Sequence, residues 1–101
     1  MLSRDRAPIA LFVYNRPHLT ARTVQALQQN QLADESELFV FADGPKGGDE
    51  HEINQVQTII ESINGFKKVH VQKASQNKGL AASIVEGVSG ILNSWDRVIV
   101  L

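Results

Sequence analysis

Three short apolar runs, two of them stopped by turn-forming residues, are separated by stretches of helical period and leave this chain few ways to fold. Ile9-Ala10-Leu11-Phe12-Val13-Tyr14 ends at Asn15-Arg16-Pro17, and Leu38-Phe39-Val40-Phe41-Ala42 ends at Asp43-Gly44-Pro45. The third, Val98-Ile99-Val100-Leu101, closes the sequence. Continuous apolar runs of this length, bounded by Gly, Pro and Asn, are the pattern of strands buried on both faces, as in a parallel sheet. Lys67-Lys68-Val69-His70-Val71-Gln72-Lys73 instead alternates, with polar residues on one side. That predicts a strand near a sheet edge, where charge discourages unwanted pairing.

Helical spacing fills the intervals. Ile53, Val56, Ile60 and Ile63 recur at steps of three and four and share one helix face. Asp49, Glu50 and Glu52 lie in or near the first turn, where negative charge suits the helix dipole, and Asn64-Gly65 is a stop signal. Leu80, Ile84, Val88, Ile91 and Trp95 form a second stripe, in which Gly87 and Gly90 lower helix propensity and offer a close approach to the sheet. A first helix is expected from Pro17 to Asn30, with Asn15 as its cap, Pro17 in its first turn, and Val24 and Leu27 facing inward with Leu19 or Thr20 and Thr23.

The order is β-α-β-α-β-α-β, right-handed crossovers leave few alternatives, and the alternating third strand belongs at the edge. The expected fold class is α/β: a three-layer Rossmann-like domain over residues 1–101, with a mostly parallel sheet in the order 3-2-1-4. That order reverses between the first and fourth strands, and ligands bind outside the carboxyl ends of strands at such a switch point. A strand as apolar as Val98 to Leu101 normally has neighbours on both sides. Its place at the end of the chain leads to two expectations: the sequence is the front part of a longer protein, and the exposed strand 98–101 drives self-association.

Composition narrows the function. Lys and Arg number 10 against 11 Asp and Glu, a net charge of −1, so the dense basic face needed for nucleic acid is lacking. Cysteine is absent, which removes disulfide frameworks and thiolate metal sites and fits a reducing, cytoplasmic setting. The longest apolar run, the six residues from Ile9 to Tyr14, is far too short to span a bilayer, and Met1 to Arg6 does not read as a signal peptide. His18, His51 and His70 lack ligand spacing, and Ser83 and Ser89 lack a partnered His and acid. Neither a G-x-G-x-x-G nor a P-loop is present.

What the topology gathers at one rim is more informative. Tyr14-Asn15-Arg16 follows the first strand, Asp43-Gly44 the second, and Asn77-Lys78-Gly79 opens the third helix. Each has a bland reading as a core residue, cap, turn or helix start. Together they supply an aromatic face, a guanidinium, a carboxylate and a helix N-terminus. A carboxylate accepts the N3–H of uracil, a ring stacks on a base, and helix-start amides with cations suit phosphate. Asp49-Glu50-His51-Glu52 reads most simply as a solvated helix start.

These segments resemble a known family. The stretch from Ile9 to Pro17 is similar to the opening strand of GT-A fold glycosyltransferases related to family 2, closest to the branch with the Golgi N-acetylglucosaminyltransferases. Glu37 to Gly44 resembles their second strand, whose terminal Asp binds the nucleotide base. Asn77 to Ile84 resembles the segment opening their third helix, and Arg97 to Leu101 the strand that leads into an acidic metal-binding motif. The resemblance runs from Pro8 onward. It implies a nucleotide-sugar donor, a UDP-sugar, with Asp43 at the base, Tyr14 stacking, Asn15 and Arg16 positioning, and Gly44, Asn77, Lys78 and Gly79 framing the nucleotide. It also implies a divalent cation, Mn2+ or Mg2+, whose ligands fall outside this chain, so this segment alone is expected not to transfer sugar. One departure is that Ala42-Asp43-Gly44-Pro45 carries a single acid where many relatives carry two. A flavodoxin-like signalling module with a phosphorylatable Asp43 and a sugar nucleotidyltransferase fragment remain rivals. The first calls for further acids near the end of strand one, the second for a Gly-rich loop there, and neither is present.

Overall fold

The computed structural model of the chain describes residues 6–101. The reading of the N-terminal segment as no signal peptide falls on Met1 to Asp5, outside the described residues, apart from Arg6. The elements are β1 (Ile9–Val13), α1 (Pro17–Gln28), a 3-10 turn (Ala33–Glu35), β2 (Glu37–Ala42), α2 (Glu50–Glu61), β3 (Lys68–Lys73), α3 (Leu80–Leu92) and β4 (Ile99–Val100). The four strands form one sheet in the order β3-β2-β1-β4, with every pairing parallel, as the apolar runs predict. Ile9 stands opposite Leu38 and Ile99, and Leu38 opposite Val69, so the carboxyl ends of β1 and β2 finish level at Val13 and Ala42.

Alternation along the strands divides the side chains between two layers. Leu11, Val13, Leu38, Val40 and Ala42 point to one face, where α1 and α2 cover them with Val24, Val56 and Ile60. This is the core. Ile63 lies past the end of α2 but still packs against it. The other face carries Phe12, Phe39, Phe41 and His70 and receives α3. Gly87 is where the helix meets the sheet, and a Cβ at that position would lie in tight contact, 3.0 Å from the Phe12 ring and 3.1 Å from Phe41. Gly90, expected to help in the same way, has open space in front of it.

Three local expectations are corrected. Asn15 is not the cap of α1: the N-cap is Arg16 (φ −118°, ψ 84°), and no side chain caps the helix. Proline is the reason, since it drives the residue before it out of helical backbone, which makes the residue next to Pro17 the boundary. Helix α1 also stops at Gln28, short of Asn30, with Thr20 rather than Leu19 turned inward. Finally, the stripe on α3 is only partly buried: Ile91 is covered, Leu80 is exposed, and Trp95 lies beyond the helix end. Among the described residues, no helix is long and apolar enough to cross a membrane.

Candidate functional site at the carboxyl rim

Asp43 is the first residue after β2, and its amide donates to the Val13 carbonyl at 3.0 Å, which seats it beside the end of β1. It is only 8% exposed, and a buried carboxylate is costly unless donors surround it. Four do. Oδ1 accepts from the backbone N–H of Gly44 and of Lys78, both at 2.8 Å. Oδ2 accepts from the Gly79 N–H at 3.0 Å and from Asn77 Nδ2 at 3.2 Å. Asn77 Nδ2 also donates to the Gly44 carbonyl at 3.1 Å. A carboxylate offers about four lone-pair positions, so the acceptor capacity of Asp43 is filled by the protein itself.

The sequence around Asp43 is built for this closure. A Cβ on Gly44 would sit 2.6 Å from the backbone of Gln76, so only glycine lets the segment before α3 cross here. Gly79, the N-cap of α3, has φ 86°, a left-handed conformation that costs glycine little. It has no side chain to cap the helix. Asp43 instead takes the amides of Lys78 and Gly79, just ahead of the helix, which sets its charge near the positive end of the α3 dipole.

Beside this clamp lies a cleft of about 520 Å³. Tyr14, Asn15 and Arg16 line it from the β1–α1 turn, Asp43 and Lys46 from the loop after β2, and Asn77, Gly79, Leu80 and Ser83 from the start of α3. Thr20 and Thr23 of α1 also line it, with Phe12, Phe41 and Leu101 among its apolar lining. Six of the eight residues expected to share a nucleotide-sized hollow therefore do so. Gly44 is not in the wall; it lies beneath the Gln76 backbone. Lys78 joins the clamp only through its N–H, while its ammonium turns away to Glu86 at 2.9 Å and borders a different hollow. Of Lys78, expected to frame the nucleotide, the clamp uses only the backbone N–H, and the pairing with Glu86, eight residues on, draws the ammonium along α3.

Tyr14 projects from the end of β1, and its hydroxyl donates to Oδ2 of Asp49. Oδ1 of Asp49 accepts from the N–H groups of Lys46 and Gly47, each at 3.2 Å. The hydrogen bond to Asp49, with burial and the charges of Asp49 and Asp43 adding to it, pushes the Tyr14 phenol up to about 12. The same bond holds the Asp49 carboxyl below its usual range. With both carboxylates engaged by internal donors, Arg16 and Lys46 are the cations of the cleft, and among the described residues neither makes an ion pair.

Sequence reasoning did not place Lys46, Asp49, Thr20, Thr23 or Ser83 at the site. The Gly-rich loop around Lys46 was legible as flexible, but nothing in its spacing shows that it folds back over β1. Among the described residues, no group of three His, Cys, Asp or Glu side chains is placed to hold a metal ion, and the oxygens of Asp43 are already filled. The divalent cation that the glycosyltransferase resemblance implies would draw its ligands from outside this chain, and no residue of the cleft is assigned to it. No family model, curated protein or solved structure matches the chain.

Proposed function

We propose that the rim cleft binds the nucleotide of a nucleotide-sugar donor, a UDP-sugar, and that this chain is the nucleotide-binding segment of a GT-A type glycosyltransferase. One observation carries the reading: Tyr14, Asn15, Arg16, Asp43, Asn77 and Gly79, drawn from three separate stretches of sequence, line a single cleft at the switch point of a parallel sheet. The base packs against the Tyr14 ring. Its N3–H takes the place of Asn77 on Oδ2 of Asp43, the longest of the four contacts at 3.2 Å, and the released amide faces a base carbonyl. With the carboxylate of Asp43 beside the start of α3, the phosphates go to Arg16 and Lys46. The sugar acceptor and the transfer step are assigned to no residue described here.

The same geometry disfavours a phosphorylatable aspartate. A phosphoacceptor aspartate works beside further carboxylates that hold a metal ion, and among the described residues no such group surrounds Asp43.

Calorimetry of the chain with UDP, UMP and uridine tests the reading. UDP should bind most tightly, and Lys46→Ala and Arg16→Ala should each weaken UDP by about three- to tenfold, the worth of one charge-assisted hydrogen bond, while leaving uridine unaffected. Equal affinity for UDP and uridine, or no binding of either, sinks the proposal.

A further inference from the structure

We propose that Asp49 is a positioning residue of the rim cleft: its carboxylate ties the Tyr14 hydroxyl to the backbone of Lys46, so that ring and ammonium are presented at one spacing. The consequence for a bound nucleotide rests on the function proposed above; the tie itself does not.

Asp49 stands at the N-cap of α2, a position where aspartate ordinarily accepts amides of its own helix. In this chain no side chain caps α2. The carboxylate turns back instead. One oxygen takes the hydroxyl of Tyr14, 35 residues away in sequence, and the other takes the amides of Lys46 and Gly47. Both tethered residues, Tyr14 and Lys46, line the cleft, while Asp49 does not. The carboxylate thus acts from behind the wall.

The loop needs such a tie. Gly47 and Gly48 have φ of 114° and 82°, and a glycine pair loses more backbone freedom on ordering than any other. Lys46 sits just before this pair and after the exposed Pro45, and its amide is held by Asp49. A ligand that must order the loop for itself binds more weakly than one that meets it already ordered.

The groups facing the phenol are Asp49, Asp43 and the Lys46 amide, and they bound the pH range of the tie. The Tyr14 phenol is raised from 10.0 to about 12, so its contribution to folding is complete below pH 10 and is lost as pH climbs towards 12. The Asp49 carboxyl is lowered from 3.8, so its contribution is complete above that value and is lost as pH falls through the lowered one. Between these limits the tie is intact.

Tyr14 is the only tyrosine in the chain, which makes the tie directly readable by ultraviolet absorbance of the phenolate. At pH 10 an ordinary tyrosine is about half ionised. The wild-type chain should show almost no phenolate at that pH, and Asp49→Asn should approach half, with circular dichroism on the same samples reporting an intact fold. In calorimetry at neutral pH, Asp49→Asn should weaken UDP by about three- to tenfold, Tyr14→Phe by a similar factor, and the double variant by no more than either. Should Asp49→Asn fail to fold, wild type and Tyr14→Phe still carry the test. A wild-type phenol half ionised at pH 10 overturns the tie whatever UDP does. Additive losses in the double variant overturn the positioning role. Absence of UDP binding with the phenol still un-ionised at pH 10 overturns the nucleotide reading, and the positioning of a ligand with it, while upholding the tie.

Discussion

Leu38 and Phe39 are neighbours in β2 and meet opposite fates. Leu38 is fully buried, with Val24, Val56 and Ile60 in the cluster that closes over it. Phe39 stays half-buried, its ring stacked 4.2 Å from that of His70 and bordering an open cleft of about 700 Å³ beneath α3. One face of the sheet is held shut by two helices that each present β-branched side chains to it. The other is held by a single helix that comes close at Gly87 and is fastened at its start by Asp43. The exposed Val85, 66% accessible, shows how little of α3 the sheet uses. Apolar burial closes one face and a polar clamp the other, and the clamp is also the wall of the proposed nucleotide site.

The largest effect should come from the closed face. Ile60→Ala opens a cavity in the cluster that holds Leu38 and Val40, and should cost about 4 kcal/mol in denaturant unfolding. A loss under about 1 kcal/mol would mean that this face is no tighter than the other. Next comes Asp43→Ala, which leaves the amides of Gly44, Lys78 and Gly79 without their acceptor and should cost about 3 kcal/mol. Amide exchange should then rise first at Lys78, Gly79 and the opening turn of α3, whereas uniform loss of protection would show that the clamp does not act locally. The smallest is Gly87→Ala. Its methyl meets the Phe12 and Phe41 rings at 3.0–3.1 Å, yet those rings border open space and can yield. The helix gains about 1 kcal/mol from alanine, which offsets most of the crowding, so the net change should stay within about 1 kcal/mol. A loss near 3 kcal/mol would assign this face the rigid packing of its opposite.

The residues explain why the sheet was easier to read than the site. Strands β1 and β2 announce themselves because burial on both faces demands unbroken apolar runs, and the Ile53–Val56–Ile60 spacing follows from a helix turning one side to that layer. The Leu80–Ile84–Val88–Ile91–Trp95 stripe obeys the same spacing, but a period records only which residues share a side, and here the sheet covers just part of it. At the rim, Asp43 and Gly44 looked like an ordinary turn pair. Their roles depend on Gln76 crossing 2.6 Å from where a Cβ would be and on amides 35 and 36 residues downstream. The Tyr14–Asp49 pair was invisible for the same reason.

Periodicity and turn residues by themselves determined the order of elements, the parallel sheet and its 3-2-1-4 arrangement, since those follow from backbone pairing and the burial of apolar runs, both written locally. Tertiary structure alone decided which carboxylate meets which donor: that Asp43 is saturated, that the Lys78 ammonium leaves the cleft, and that Asp49 reaches Tyr14 instead of its own helix. Hydrogen bonds act over about 3 Å, and which groups come within that reach is set by how distant segments pack.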